Sequence, residues 1–352
     1  MANWIIRQED LDEVYPPRPI FPFREVEMFP EQVAFLNQRI VASLLVNGGP
    51  GTGKTVLAIM RAMHLSREGK NVIYIAQTSL TSKYVKHVFH SLGMSEQTCM
   101  TYHVFDKQKS LYDVALLDDS HCYTMEQIQS VASKSNCLLL FGDYVRFSKF
   151  NTETATIRDI VQSIHCEVFE LNQPCCIPGD FLKLASLGRG SISFHSTRRS
   201  ELPIVAEIAP FDEQCRMVRH IVQMRSLEDV GILCYTRALV RDAYTILNSP
   251  DFHTEVYLPG KEDGLDTLNL DSGLPKILTI ASSVGIHFKT VFVLGFDKKT
   301  IWNNPEDALV IITTRATENL FIFYEGQLPE PLASVPQDLY RSSVINDAPF
   351  DF

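Results

Sequence analysis

One short, glycine-rich segment of the chain ends in a lysine and a threonine. The segment reads Gly48-Gly49-Pro50-Gly51-Thr52-Gly53-Lys54-Thr55. This is a complete P-loop pattern, in which glycines let the backbone curl so that its N–H groups face phosphate oxygens. Lys54 supplies a point charge for the β- and γ-phosphates, and Thr55 supplies a hydroxyl for Mg²⁺. The segment therefore predicts that the chain binds ATP with Mg²⁺.

The sequence on either side of this segment must position it. Residues 43–47 read as a buried strand, and residues 56–63 open an apolar helix. A strand, a glycine turn and a helix in this order are the context that the pattern requires. The alternative is a glycine turn that happens to precede a helix. The Lys54-Thr55 pair and the two correct flanks favour the P-loop.

A P-loop protein also needs a carboxylate site for the metal ion and the attacking water. Asp118-Asp119 follows an apolar strand predicted over residues 114–117. Asp118 would hold Mg²⁺ through its water shell, and Asp119 would orient or deprotonate the water. The alternative is an ordinary acidic loop after a core strand, which becomes the weaker interpretation beside a P-loop.

Strands alternate with helical patterns along most of the chain, which predicts an α/β fold with parallel sheets and helices on both faces. The other predicted strands are residues 72–76, 138–141, 168–171, 231–235, 277–280, 291–294, 309–312 and 320–323. We place a domain boundary near residue 175. The predicted parts are an N-terminal arm over residues 1–28, domains over residues 29–175 and 176–324, and an acidic tail over residues 325–352.

Composition limits the class of protein. The 352 residues contain no run of eighteen apolar residues and no apolar leader, so neither a membrane span nor a signal peptide is predicted. The eight cysteines lack paired C-x-x-C spacing, which favours reduced thiols in an intracellular protein, cytoplasmic or nuclear. The net charge is −10, and most of it lies at the two ends of the chain. The first 31 residues carry seven acids against three bases and residues 325–352 carry five against one, so the body of the chain has a net charge of only −2. The acidic balance therefore does not exclude a nucleic-acid groove.

The P-loop and six further matches, in chain order, resemble the motifs of superfamily-one helicases of the UvrD/Rep type over residues 29–324. The six are Gln32, Thr101-Tyr102-His103, Asp118-Asp119-Ser120-His121, Gly142-Asp143, residues 279–288 and Thr313-Thr314-Arg315-Ala316. The resemblance implies two tandem RecA-like P-loop NTPase domains with ATP in the cleft between them. It also implies that Gln32 reads adenine, that residues 101–103 contact single-stranded DNA or RNA, and that Arg315 reaches the γ-phosphate.

Several positions depart from that family's pattern. Asp119 replaces the catalytic Glu, and Arg146 replaces the Gln that follows Gly-Asp, where it would still contact nucleotide. The arginine of the fourth motif falls at the Cys-Cys pair of residues 175–176. Val284 and His287 stand at the Lys and Glu of the fifth motif, and the latter position normally contacts the ribose. Loss of one arginine finger can lower turnover by on the order of 10³ or more, so hydrolysis is expected to suffer more than binding.

Short spacings between the motifs leave no room for the accessory insertions of larger family members. This compactness resembles the helicase-like C-terminal region of Schlafen proteins. Two functions stay open: an ATP-driven motor on single-stranded nucleic acid, and a helicase-like pseudo-enzyme that binds ATP and grips nucleic acid or a protein partner. A third is a regulatory P-loop NTPase without a nucleic-acid role. No membrane association is predicted.

Overall fold

A computed structural model describes residues 28–143, 154–187, 196, 198–260, 264–296 and 305–344. The predicted N-terminal arm, apart from Met28, lies outside the described residues, as does Arg146. The chain divides into two compact units, the first ending at Cys176 and the second beginning at Ile177.

The first unit contains a six-stranded parallel sheet, with elements numbered here in chain order. Its strands are β1 (Leu44–Gly48), β2 (Val72–Ala76), β3 (Cys99–Thr101), β4 (Tyr112–Leu117), β5 (Ser135–Gly142) and β6 (Glu167–Leu171). Its helices are α1 (Pro30–Asn37), α2 (Lys54–Arg67), α3 (Ser79–Ser91), α4 (Tyr102–Phe105), α5 (Met125–Ala132) and α6 (Ile157–Ile164). The strand order across the sheet is β3-β2-β4-β5-β1-β6.

Local sequence accounts for these elements. Every residue of β1 and β2 is buried, as expected for central parallel strands covered on both faces. Helices α3, α5 and α6 begin after Thr78, Thr124 and Thr156, whose hydroxyls accept hydrogen bonds from backbone N–H groups of the first turn. The apolar faces of α5 and α6 pack with the inner residues of β4 and β5 into one core.

The topology brings the polar segments to one edge of this sheet. Parallel strands place their carboxyl ends at the same edge, where α/β proteins bind ligands. The P-loop follows β1, Asp118 follows β4 and Asp143 follows β5. Strand β5 lies between β1 and β4, so the P-loop and Asp118 are separated by one strand.

The second unit contains an eight-stranded sheet in the order β10-β9-β11-β8-β12-β13-β7-β14, parallel except for the antiparallel pair β9–β10. Its strands are β7 (Ile204–Glu207), β8 (Val230–Cys234), β9 (Glu255–Leu258), β10 (Leu265–Asp266), β11 (Lys276–Thr279), β12 (Phe288–Leu294), β13 (Ala316–Tyr324) and β14 (Arg341–Val344). Its helices are α7 (Gly179–Leu187), α8 (Phe211–Met224), α9 (Arg237–Leu247), α10 (Pro305–Thr313) and α11 (Glu330–Ala333). Stacked Phe292 and Phe321, with ring centroids 4.6 Å apart, lie in its core.

Two sequence predictions differ from this unit. Residues 309–312, predicted as a strand, lie inside helix α10, because a four-residue apolar run does not distinguish a buried helix from a buried strand. The predicted tail over residues 325–352 contains α11, and Arg341–Val344 pairs in parallel with β7 as an edge strand. The residues beyond Val344 lie outside the described part of the chain.

The predicted α/β fold of two tandem RecA-like domains with parallel sheets is confirmed. Within the part of the chain that the structure describes, no helix has the length and apolar character needed to cross a membrane.

Candidate nucleotide-binding site

The P-loop is a tight turn between β1 and α2. Gly51 and Gly53 have φ angles of 75° and 87°, a left-handed backbone that glycine adopts without steric cost. Gly48 lies so close to β6 that a Cβ atom there would approach the Cβ of Leu171 to 2.8 Å. Two glycines are therefore required by backbone conformation and one by packing.

Lys54 is held inside this turn. Only 9% of the residue is exposed, and its Nζ donates to the carbonyls of Gly48 and Gly49 at 2.6 and 2.9 Å. The same Nζ lies 3.5 Å from a carboxylate oxygen of Asp143. The ammonium group is thus fixed at the loop backbone, where an ammonium can bind phosphate as a point charge.

Asp118 is the centre of a second polar cluster. It is completely buried, and one oxygen accepts from the hydroxyls of Thr55 at 2.9 Å and Tyr74 at 2.6 Å. Its other oxygen accepts from the backbone N–H of Asp119 at 3.1 Å. Burial, with a smaller contribution from the Asp119 charge, raises the pKa of Asp118 to about 7.

The Thr55 and Asp118 side chains fit a Mg²⁺ ion. The cation prefers oxygen ligands and is usually held by one or two carboxylates together with water and substrate phosphates. A Mg²⁺ ion at this site would be held by these two side chains, with phosphate and water as its other ligands. Among the described residues, no group of three or more His, Cys, Asp or Glu side chains could hold a metal ion.

Asp119 has an unusual backbone conformation. Its φ and ψ are 51° and 43°, in the left-handed region, and it precedes the 3₁₀ turn Ser120–Cys122. Asp and Asn tolerate this region better than most residues with a side chain. This conformation gives a local reason for Asp at a position where the resembling family has Glu.

Two side chains from outside the P-loop brace its backbone. Cys175 donates from both its N–H, at 2.8 Å, and its Sγ, at 2.9 Å, to the carbonyl of Gly51. Gln32 donates from Nε2 to the carbonyl of Thr52 at 2.9 Å. Gln32, assigned to adenine from the sequence, therefore contacts the loop itself.

A pocket of about 250 Å³ in the first unit is lined in part by Asp143. Ser120 and His121 line it after β4, Asp143 lines it after β5, and Thr156 and Arg158 line it at the start of α6. The sequence pattern assigned no role to Thr156 or Arg158, which belong to no motif.

Tyr74 and Asp143 make contacts in the site that the sequence does not predict. The motif match at Gly142-Asp143 gives Asp143 no task, and Tyr74 is predicted only as part of a strand. A signal for Tyr74 exists, because a buried tyrosine needs a partner for its hydroxyl and β2 reads as a fully buried strand. The identity of that partner depends on the pairing of β2 with β4.

The predicted nucleic-acid residues lie at the end of β3, on the same sheet edge as the P-loop. Tyr102 is half-buried, with its ring 6.0 Å from that of Tyr123, and its hydroxyl donates to Asp106 at 3.2 Å. Thr101 is half-buried and His103 is exposed. Phe105, at the end of α4, is fully buried.

The predicted site residues of the second unit lie around one turn. Arg315 is 9% exposed, and Nη1 donates to the carbonyls of Ser283 and Ile286 at 3.4 and 3.3 Å. His287 is half-buried and directly precedes β12. In this structure Arg315 therefore stabilises a turn of its own unit.

Comparison with known proteins gives one family match. Residues 34–231 match the model of a family described as an AAA domain. No match is found among curated proteins.

Three solved structures are similar to this chain at low identity. An arterivirus nonstructural protein 10 (helicase) has 11% identity and a TM-score of 0.46, covering 83% of this chain and 62% of its own. The helicase of PRRSV has 15% identity and a TM-score of 0.46, with coverages of 86% and 55%. The C-terminal domain of a possible DNA helicase from Lactobacillus plantarum WCFS1 has 17% identity and a TM-score of 0.38, with coverages of 47% and 97%. The chain thus spans 62% and 55% of the lengths of the two viral proteins.

Proposed function

We propose that this chain, which belongs to the AAA domain family, is an ATP- and Mg²⁺-dependent P-loop NTPase of the superfamily-one helicase type that acts on single-stranded DNA or RNA. The observation that carries the proposal is a convergence of three strand ends. Lys54 lies 3.5 Å from Asp143 after β5, and the adjacent Thr55 lies 2.9 Å from Asp118 after β4. Two consecutive P-loop residues thus each meet a carboxylate from a different strand.

Each side chain has a proposed task in ATP hydrolysis. Lys54 and the loop N–H groups bind the β- and γ-phosphates. Thr55 and Asp118 would hold Mg²⁺, which would neutralise charge on the phosphates. Asp119 orients the attacking water or takes its proton, and the motif position of Arg315 assigns it to the γ-phosphate.

The exposed end of β3 supports the nucleic-acid part of the proposal. His103 is exposed and Tyr102 is half-buried, so both can present a ring to a base of a single strand, and such stacking is tolerant of sequence. The P-loop lies on the same edge of the sheet. Single-stranded DNA or RNA bound at this edge would therefore contact the unit that binds ATP.

The second candidate is a helicase-like pseudo-enzyme that binds ATP and uses the bound state to grip nucleic acid or a protein partner. Two observations favour it over a fast motor. The Cys-Cys pair of residues 175–176, where a family arginine falls, offers no positive charge to a phosphate, and Cys175 donates to the Gly51 carbonyl instead. Asp119 is one methylene shorter than the family's Glu and sits on a left-handed backbone.

We also propose kinship with UvrD/Rep helicases, or with the helicase-like region of Schlafen proteins, which the order and compact spacing of the sequence motifs support. An intracellular location, cytoplasmic or nuclear, is supported by eight cysteines without C-x-x-C spacing. The nucleotide ribose contact of His287 is supported by its motif position alone.

The deciding experiment measures ATP affinity and steady-state ATP turnover of the purified chain, with and without single-stranded DNA and RNA. Turnover that rises when single-stranded DNA or RNA is added supports the motor and shows which nucleic acid it acts on. Tight ATP binding without turnover supports the pseudo-enzyme. Failure to bind ATP with Mg²⁺ at millimolar concentration contradicts both.

A further inference from the structure

Gln32 is buried at the start of α1, and its carboxamide is engaged on both sides. Only 3% of the residue is exposed. Its Oε1 accepts from the backbone N–H of Phe29 at 2.9 Å, while Nε2 donates to the carbonyl of Thr52 at 2.9 Å. The side chain therefore links the first turn of α1 to the P-loop.

The P-loop backbone is packed directly against this carboxamide. A Cβ atom at Gly53 would lie 2.8 Å from Gln32 Nε2 and 3.9 Å from Cys175 Sγ. Gly53 is the residue that immediately precedes Lys54, and its φ is 87°. Gln32 thus contacts the part of the loop whose curvature aims the phosphate-binding N–H groups.

Helix α1 is itself anchored at both of its flanks. Arg61 of α2 donates to the carbonyls of Phe35 and Gln38, and its guanidinium lies over the Phe35 ring at 4.9 Å. Glu31 accepts from the backbone N–H groups of Asn172 and Gln173 at 2.8 and 2.9 Å. Gln32 is consequently carried by a helix that is tied to α2 on one side and to the segment after β6 on the other.

Recognition of adenine by glutamine uses the same two atoms. The carboxamide oxygen accepts from the N6 amino group, and the carboxamide nitrogen donates to N7. In Gln32, Oε1 already accepts from the Phe29 N–H, and Nε2 donates to the Thr52 carbonyl with Cys175 Sγ 4.0 Å away. Only 3% of the residue is exposed, so an adenine ring would have to compete with these contacts. Displacing the Nε2 bond leaves the buried Thr52 carbonyl without this partner, which is costly.

We propose that Gln32 is a positioning residue that braces the P-loop, and that it does not read the base. The nucleotide site then recognises its ligand through the polyphosphate chain, and Gln32 adds no preference for adenine. This inference rests on the proposed function, since it requires that the P-loop binds a nucleoside triphosphate.

The first test uses the wild-type chain with Mg²⁺ and compares ATP, 7-deaza-ATP and inosine triphosphate by competition against a fluorescent nucleotide. 7-Deaza-ATP lacks the N7 acceptor, and inosine triphosphate lacks the 6-amino group. We expect the three dissociation constants to agree within about twofold. A bidentate contact to adenine discriminates by roughly fivefold or more, so a loss of that size with either analogue overturns the inference.

The second test separates the phosphates from the base with Gln32→Met, which keeps the length of the side chain and removes both polar atoms. The ligands are ATP, GTP and inorganic tripolyphosphate, each with Mg²⁺. We expect the variant to lose affinity for all three by the same factor, about threefold to tenfold for one lost loop contact. Gln129→Met, at an exposed position on α5, is the control and should bind all three as wild type does.

Selective loss of ATP by Gln32→Met, with tripolyphosphate unchanged, overturns the inference and restores the base-reading role. Wild-type protein that binds neither ATP nor tripolyphosphate overturns the proposed function, and the inference with it. Thermal unfolding of both variants shows whether Gln32→Met is folded. If it is not, the comparison of analogues on the wild-type chain decides alone.

Discussion

The Tyr74 hydroxyl donates a 2.6 Å hydrogen bond to the Asp118 carboxylate from the neighbouring strand. Both residues are completely buried, and Thr55 of the P-loop bonds to the same oxygen. Burial, followed by the Asp118 charge, raises the pKa of Tyr74 well above its usual range, so the phenol stays a donor. One carboxylate oxygen therefore couples the core of the sheet to the P-loop.

Replacing Tyr74 by Phe should destabilise the chain. The variant removes a buried hydrogen bond to a carboxylate, worth about 1.5–3 kcal/mol, and leaves the ring packing intact. Urea unfolding should show a fall in the free energy of unfolding in that range. Tyr112→Phe is the control, because Tyr112 lies on β4 of the same sheet as Tyr74. Its ring packs 6.0 Å from the ring of Phe105 in α4. Equal stability of Tyr74→Phe and wild type would contradict the bond's role.

Replacing Lys54 by Ala should abolish or strongly weaken ATP binding. The ammonium group lies at the loop carbonyls and Asp143, and its removal takes away the point charge for the phosphates. We expect affinity to fall by about tenfold or more, measured by titration calorimetry with Mg²⁺-ATP. Lys70→Ala, at an exposed site beyond α2, should bind ATP normally. Unchanged affinity in the Lys54 variant would refute the P-loop assignment.

Asp119→Asn should separate stability from catalysis. Asn tolerates the left-handed backbone of this position, whose φ is 51°, so thermal unfolding should match wild type. If Asp119 handles the water proton, turnover should fall by about 10²-fold or more.

Asp119→Glu, which restores the family's carboxylate, should lower stability by about 1 kcal/mol, because Glu fits the left-handed region less well. Its turnover reports whether the length of the side chain limits hydrolysis. Wild-type turnover in Asp119→Asn would remove Asp119 from the mechanism.

Asp229 should make the stability of the chain fall as pH rises. It is 3% exposed, and burial raises its pKa from 3.8 to about 8. Between those two values the folded chain holds a proton that the unfolded chain has lost. The free energy of unfolding should then decrease with pH by up to about 1.4 kcal/mol per unit from this group.

Asp229→Asn tests that slope. Asn keeps an acceptor for the Lys289 N–H, which lies 3.0 Å from Asp229, and tolerates the φ of 53°. Urea unfolding between pH 5 and pH 8 should show a flatter dependence in the variant than in wild type. The exposed Asp338 provides the control as Asp338→Asn. Parallel curves for wild type and Asp229→Asn would rule out a raised pKa.

His103→Ala should weaken binding of single-stranded nucleic acid without loss of stability. The residue is exposed beside Tyr102 at the end of β3, and one lost stacking contact is worth about 1–3 kcal/mol. Fluorescence anisotropy with labelled oligonucleotides of DNA and RNA should show the loss for whichever strand binds wild type. His90→Ala, at an exposed position on α3, is the matched control. Equal affinity of an oligonucleotide for wild type, His103→Ala and His90→Ala would place the nucleic-acid interface elsewhere.

Much of this protein was predictable because its main motif is continuous in sequence. The P-loop, its strand and its helix are local features, and β2 begins and ends at the predicted residues. The parallel α/β fold follows from alternating strand and helix patterns. The acidic pair at residues 118–119 was found because it ends an apolar strand.

Other features depended on pairing between distant segments. Residues 309–312 form part of helix α10, although their apolar sequence fits a buried strand equally well. Strand β14 exists because β7 offers a free edge for it, which no local pattern in residues 341–344 indicates. An edge strand takes its structure from its neighbour, so propensity alone misses it.

Short continuous segments encode the P-loop pattern, the acidic pair after an apolar strand and the alternation of strands and helices, so the amino-acid sequence was enough to predict them. The contacts around the loop depend on the tertiary structure. Tyr74 meets Asp118 through the pairing of β2 and β4, and Gln32 meets Thr52 across 20 positions of chain. Cys175 reaches Gly51 because β6 pairs with β1. Such contacts depend on strand order and register, which are set by the packing of the whole sheet.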